Sequence, residues 1–285
     1  MPLRARTEKN CYTARDVARV IEALAPPDSG VPGDQLGFVY GDPDRPIKGV
    51  GCLWNVHTAS IRGAARLGLD MLVCHEKVLL SEQKSPWYEG PEAKDIAPNR
   101  LRTQLLDRHR MVVYRSHSNW DALPRDGVAD QAVAALGIKG LRPHARQKFF
   151  SVQKLPKAWT VRRLRDRVRK GLGYSDCRVF GDAGKRIRRF AFLIGGFGEN
   201  QTHMPQAARD LGAEALIIGE MSEFIVVAAL EMGLPVIESL HSASESPALR
   251  RQAILLAQRL PGLRVRFIPS GALAFGPPPT TARCP

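Results

Sequence analysis

Two stretches, Ala64–Glu76 (AARLGLDMLVCHE) and Ala208–Glu220 (ARDLGAEALIIGE), share alanine, leucine, glycine, leucine and glutamate at matching positions. Asp70 and Glu214, and Val73 and Ile217, are similar pairs within them. Each stretch reads as the end of a helix, a Leu-Gly turn and a short apolar strand that stops at a glutamate. A second pattern follows in each half. The run Met111–Ser116 leads into His117-Ser118-Asn119-Trp120-Asp121, and Val236-Ile237 leads through Ser239-Leu240 into His241-Ser242-Ala243-Ser244-Glu245. Both read as strand, then His-Ser-x-x-carboxylate. One such match is ordinary; two in the same order point to an internal duplication. The expectation is an α/β fold of two related lobes whose strand ends face each other across a shared site.

The rest of the chain extends this pattern of strands alternating with helices. Thr13–Leu24 predicts an amphipathic helix with Thr13 as cap and Val17, Val20, Ile21 and Leu24 buried. Further helices are expected at Thr58–Leu67, Asn99–Asp107, Gly127–Leu136, Thr202–Leu211 and Phe224–Met232, and one with Glu245 in its first turn running to about Leu260. A polar loop, Ser81–Pro98, carries Trp87 and Tyr88. The join between the lobes is placed around Leu141–Lys148. That gives an N-terminal lobe over 1–140, a C-terminal lobe over 141–275, and a tail over 276–285 too rich in proline to pack.

Composition sets the class. Of 285 residues, 44% are apolar and 25% charged, ordinary values for a globular protein with a substantial core. The longest apolar runs, such as Phe224–Leu230, are too short to cross a bilayer, and no signal peptide is evident. Five scattered cysteines without a C-x-x-C predict a reduced, cytoplasmic setting. The formal charge is +14, much of it in Lys157–Lys170 and Lys185–Arg189. In the first segment Val161, Leu164 and Val168 share one helical face, so the arginines read as a solvated face rather than a nucleic-acid surface. No aromatic interleaving or helix-turn-helix spacing supports base readout. A field of this sign does favour an anionic small-molecule substrate.

His75, Glu76, His117, Asp121, His241 and Glu245 all fall just past the C-terminal ends of expected strands, where open α/β sheets place ligands. Crowded carboxylates are costly unless a cation neutralises them, so a pair of metal ions is the economical reading. His57, His109, His144 and His203 read as hydrogen-bonded histidines without such a role. Gly195-Gly196-Phe197-Gly198 is expected to be a tight turn between strand and helix. Cys74, beside His75, reads as a small apolar residue at a strand end rather than a thiolate nucleophile.

Taken together, these motifs resemble the YbgI-like dinuclear-metal proteins, the type 2 GTP cyclohydrolase I homologues of Nif3-like fold. The matching residues are Asp34–Phe38 (DQLGF), His75-Glu76 at the family's His-His position, and His117–Asp121 at its His-Thr-Asn-Leu-Asp position. Gly195–Gly198, Gly219-Glu220 and His241–Glu245 complete the series. The resemblance spans about residues 14–270. It implies two α/β lobes with a two-metal site between them, in a hexamer built as a trimer of dimers. It also implies that His75 and His241 bind one ion, Glu76 and Asp121 the other, and that Glu245 bridges. His117 would sit beside the ions as a proton shuttle, with Glu220 a second catalytic candidate. Two departures stand out. Glu76 replaces a histidine, which favours Mn or Fe over Zn, and Asn55 stands where the family has aspartate.

The functional expectation is a hydrolase using two divalent ions (Zn, Mn or Fe) to activate water against a C–N, amide or nucleotide-type substrate. Two other readings compete. One is a non-catalytic metal-binding or metal-trafficking hexamer. The other is a basic scaffold for nucleic acid or protein.

Overall fold

The computed structural model describes residues 11–81 and 90–275. Trp87, Tyr88 and the 276–285 tail lie outside them. The chain runs α1 (Ala14–Leu24), β1 (Gly37–Tyr40), β2 (Gly49–Leu53), α2 (Thr58–Arg66), β3 (Met71–Cys74), α3 (Ala97–Arg108) and β4 (Val112–Arg115). It continues through α4 (Ser118–Asp121), α5 (Val128–Ala135), β5 (Arg142–Arg146), β6 (Phe150–Thr160), α6 (Val161–Leu172), β7 (Arg178–Phe180) and β8 (Arg186–Phe197). Then come α7 (His203–Asp210), β9 (Leu216–Met221), α8 (Glu223–Glu231), β10 (Val236–Glu238), α9 (His241–Arg259) and β11 (Arg264–Phe267).

The described residues divide into two compact units, one within 11–117 together with 252–275 and one of residues 118–251. This differs from the expected boundary at 140/141. The reason is strand pairing: β11 lies parallel to β2, Val265 opposite Val50, so the end of the chain completes the first sheet. Residues 142–146, expected as a join, form an edge strand on β6. Their arginines and Pro143 give no apolar alternation, which is why an exposed edge reads as a linker.

The first unit holds a five-stranded sheet ordered β1-β4-β3-β2-β11. Strands β4, β3, β2 and β11 are parallel, and β1 runs antiparallel at the edge. Leu53, Val56, Ile61, Leu72, Leu106 and Val113 pack in its core. The second unit holds a six-stranded sheet ordered β5-β6-β8-β9-β10-β7. Here β8, β9 and β10 are parallel, flanked by antiparallel β6 and β7. Phe150, Val152, Leu193, Leu216, Ile218 and Val236 form its core.

Each unit thus contains a parallel β-α-β-α-β run, β2–β4 in one and β8–β10 in the other. The matched sequences make the same hydrogen bonds. After α2, Gly68 N–H donates to Ala65 O and Leu69 N–H to Ala64 O. After α7, Gly212 N–H donates to Arg209 O and Ala213 N–H to Ala208 O. Gly68 and Gly212 close these turns at φ of 68° and 84°, the left-handed region that glycine enters without a Cβ penalty. The acid pair repeats as well. Asp70 accepts from Lys48 N–H (2.8 Å), Gly49 N–H (3.2 Å) and Arg45 (3.1 Å). Glu214 accepts from Arg188 N–H (2.5 Å), Arg189 N–H (3.1 Å) and the Arg189 guanidinium (2.9 Å). Each carboxylate ties the entry of one strand to the entry of its parallel neighbour.

Helix starts follow the expected chemistry. Thr13 and Asp16 form a reciprocal capping box on α1, with Val17 and Ile21 buried. His57 caps α2: its Nδ1 faces Ser60 N–H at 3.2 Å and its Nε2 faces Gly271 N–H at 3.0 Å. A neutral ring can accept only one of these donors, and a protonated ring accepts neither. Burial, helped by the Arg102 guanidinium, pushes the His57 pKa down to about 4. The unfolded chain takes up this proton near pH 6.5. His57 therefore contributes stability that is complete above about pH 6.5 and is lost as the pH falls through about 4, on the order of 3 kcal/mol. Asn in its place keeps an acceptor for Ser60 N–H but does not titrate. In urea unfolding, the wild type is expected to lose more stability than His57→Asn between pH 6.5 and 4. Equal losses would show that the ring is not held neutral.

Candidate metal centre

In the first unit the donors stand where β3 and β4 end. Beyond Cys74, His75 N–H is shared between Leu53 O (3.1 Å) and Trp54 O (3.2 Å), and Glu76 N–H donates to Trp54 O at 2.7 Å. These bonds fix the backbone as it leaves the sheet. The His75 side chain is fully buried, its Nδ1 3.1 Å from Ser116 O. A carbonyl oxygen can only accept, so Nδ1 carries the proton and Nε2 carries the lone pair. The His117 ring lies with its centroid 4.8 Å from that of His75. Its Nδ1 is 2.7 Å from Asp34 Oδ2, and its Nε2 is 3.7 Å from Glu76 Oε1. Asp34 is anchored in turn by buried Arg115, whose guanidinium donates to Asp34 Oδ1 at 2.6 Å and to Gln35 O at 2.7 Å.

In the second unit the donors follow β9 and β10. Ser239 ends β10 by donating through both N–H (2.8 Å) and Oγ (2.9 Å) to Ile218 O. Leu240 then takes a φ of 75°, the left-handed region that costs a side-chain-bearing residue roughly 1–2 kcal/mol, and α9 begins at His241. This turn points the imidazole back over the strand ends. His241 Nδ1 is 2.9 Å from Glu220 Oε1, and Nε2 is 3.1 Å from Glu245 Oε1 one helical turn on. Glu245 is buried, whereas the Glu220 side chain is half exposed. Asp121, the last residue of α4, is also buried.

Glycine makes room for this arrangement. A Cβ at Gly195 would lie 2.9 Å from Glu245 Oε1 and 3.3 Å from His241 Nε2. One at Gly196 would lie 2.7 Å from Glu220 Oε1 and 2.9 Å from His241 Nδ1, and one at Gly219 would lie 2.8 Å from His241 Cα. The expected turn at 195–198 is instead the end of β8, which reaches Phe197 with a register shift between Leu193 and Gly196. The glycines form a bare stretch of strand beneath the His241 side chain.

His75, Glu76, His117, Asp121 and Glu245 each belong to a group of histidine and carboxylate donors that could hold a metal ion. Within the first unit the structure gathers His75, Glu76 and His117, and within the second His241, Glu245 and Glu220. Glu220, named from the sequence as a second catalytic candidate, is the partner of His241 Nδ1. Asp34 has the same place against His117. The sequence reading named Asp34 only within the Asp34–Phe38 motif; Arg115, a basic residue in a buried strand, is the signal that calls for an acid partner. Nothing local says that the acid lies 81 residues away. Cys74 is the inert residue expected: burial, with Glu76 adding to it and Arg115 opposing, pushes its thiol up to about 12.

The family model for Duf34/NIF3 (NGG1p interacting factor 3) matches residues 12–272. A Clostridium perfringens relative named GTP cyclohydrolase 1 type 2 homolog is 25% identical over 255 residues, covering 86% of this chain and 91% of its own. A relative of the same name from Escherichia coli K12 is 30% identical over 194 residues, covering 66% of this chain and 70% of its own. Among solved structures, a Bacillus cereus protein related to NIF3 matches with a TM-score of 0.76 at 14% identity, over 94% of this chain and 98% of that one. The protein ybgI matches with a TM-score of 0.74 at 22% identity, over 91% and 99%. At these identities the solved structures speak to the fold.

Gly195 and Gly233 both sit at positive φ, but of the two only Gly195 has the Glu245 and His241 side chains where its Cβ would go. Alanine at either position is expected to lower stability by roughly 1–3 kcal/mol through backbone strain. Bound metal measured by elemental analysis should fall in Gly195→Ala alone. An equal metal content in the two variants would remove the cradle from the site.

Proposed function

Since the chain belongs to the DUF34/NIF3 family, we propose that it is a dinuclear metal-dependent hydrolase acting on a C–N, amide or nucleotide-type substrate. The observation that supports this most is how the imidazoles are held. His75 Nδ1 faces a carbonyl oxygen and His241 Nδ1 faces a carboxylate, which leaves Nε2 of each ring as the ligating nitrogen. Metal-binding histidines depend on such partners to fix the tautomer and raise basicity. Carboxylates would supply the rest: His75 and His241 are the ligands proposed for one ion, Glu76 and Asp121 for the other, and Glu245 for both. Three carboxylates against two imidazoles make a hard, anionic donor set that suits Mn or Fe better than Zn.

When bound, the two cations supply Lewis acidity toward a substrate oxygen and lower the pKa of water. The chain's own groups do the rest. Asp34 holds the Nδ1 proton of His117, so that His117 Nε2 is the atom that takes or gives a proton. Glu220 does the same for His241 and keeps its ring from swinging out of the donor set. The glycine cradle of β8 admits the donor oxygens without a side chain in between. A small-molecule substrate fits this reading, with anionic ones favoured by the charge of +14. Homo-oligomerisation as a hexamer and a cytoplasmic location remain part of the proposal. Among the described residues no helix is long and apolar enough to cross a membrane.

His241→Ala, Glu245→Ala and Asp121→Ala are each expected to lower bound metal by elemental analysis, with the fold retained by circular dichroism. Unchanged stoichiometry in all three would overturn the ligand assignment. His117→Gln should keep its metal and lose roughly 10²-fold or more in turnover, in a hydrolysis screen run with and without chelator. Full metal loading with no chelator-sensitive turnover across nucleotides, amides and cyclic C–N compounds would instead identify a metal carrier.

A further inference from the structure

A second concavity, in the 118–251 unit, shares no residue with the metal donors. Its volume is about 690 Å³, within the range of small-molecule sites. Local breaks in the sheet create it. Pro156 has no N–H for the ladder, and the β6–β8 pairing shifts register between Lys154 and Trp159. Lys157 and Trp159, at and just past this irregularity, line the cavity. Helix α6 buries Val161, Leu164 and Val168, so the 163, 166 and 167 positions share another face, and all three line the cavity as well.

The lining carries four cations, Lys139, Lys157, Arg163 and Arg167, against the single carboxylate of Asp166. That carboxylate is engaged by Arg165 at 2.8 Å. Arg167 donates to the Leu136 and Gly137 carbonyls that end α5, and the Arg163 guanidinium lies 4.3 Å over the Trp159 ring. Among the described residues no ion pair reaches Lys139 or Lys157. Trp159 is nine-tenths buried and contributes to the wall of the cavity. Two ammonium groups with no ion pair among the described residues, beside an apolar wall of Ile138 and Pro156, call for acceptor oxygens on a compact, partly apolar molecule.

We propose that this cavity binds a phosphorylated small molecule of nucleotide size. Lys139 and Lys157 hold the phosphate, and the ring body of the ligand packs on the apolar wall. A nucleic-acid strand fits less well. Its successive bases need successive stacking platforms, and the one aromatic face here is already covered by Arg163.

The test uses the full chain with its metal and follows binding by titration calorimetry at physiological salt. The probes are AMP, adenosine, inorganic pyrophosphate and single-stranded oligo(dT). AMP should saturate one site per chain, and adenosine should not bind. The Lys139→Glu/Lys157→Glu double variant should weaken AMP by roughly tenfold or more. Glu245→Ala should bind AMP as the wild type does, which separates this cavity from the metal donors. Three results would overturn the proposal. The first is no saturation by AMP or pyrophosphate up to about 5 mM. The second is AMP affinity lost in Glu245→Ala but kept in the double variant. The third is oligo(dT) binding far tighter than AMP and collapsing with salt, the mark of a nucleic-acid surface.

Discussion

An imidazole has two nitrogens, and an oxygen placed against one decides what the other can do. That constraint organises the donor clusters of this protein. Ser116 O holds His75, Asp34 holds His117, and Glu220 holds His241, each at Nδ1 and each within 3.1 Å. Without these partners the rings would be free to rotate and to exchange tautomers, and a lone pair aimed at a cation would be one state among several. The holding groups are themselves fixed. Asp34 is locked by a buried arginine, and the backbone that carries Ser116 donates to Cys74 O at 2.9 Å. Rigidity at the ring therefore comes from the sheet, through strand ends that have little freedom left.

The duplication explains why such clusters recur. A parallel strand must be followed by a crossover, so successive strands end at the same edge, and residues just past those ends are gathered by topology alone. Both units use the same device at the opposite edge, a carboxylate that receives the N–H groups of the neighbouring strand. Asp70 and Glu214 are the acid pair seen in the aligned stretches, and their matching hydrogen bonds show that the likeness reflects a shared architecture. What differs is the strand end itself. Cys74-His75-Glu76 occupies the place that Ile218-Gly219-Glu220 holds in the other half. One repeat thus keeps a bulky histidine where the other keeps bare backbone, and the glycine there lies against His241 Cα.

The strong positive charge has a local meaning as well as a global one. Most of the arginines of α6 cover a solvated face, as their spacing around Val161, Leu164 and Val168 requires. A few are used internally: Arg167 on the carbonyls that end α5, and Arg163 over an indole ring. The lysines beside them have no such employment. An excess of one sign next to a concave, partly apolar wall is a different object from a uniformly basic surface, and only the tertiary structure distinguishes the two.

Much of the fold was legible in the residues. Thr13 and Asp16 announced a capped helix, the Leu-Gly pairs announced helix-to-strand turns, and the histidines and carboxylates stood past strand ends as their spacing required. These are local signals, set by capping chemistry, side-chain period and the conformational freedom of glycine. Three features were not legible, and each is a long-range fact. The C-terminal strand β11 pairs with β2, so the first unit closes with residues from both ends of the chain. Arg142–Arg146 joins a sheet as an edge strand although nothing in its composition favours one. Asp34 reaches His117 across 83 positions. A sequence states which groups need partners; which partner each one finds is decided by the packing of strands, because hydrogen bonds between distant segments depend on register and not on separation along the chain.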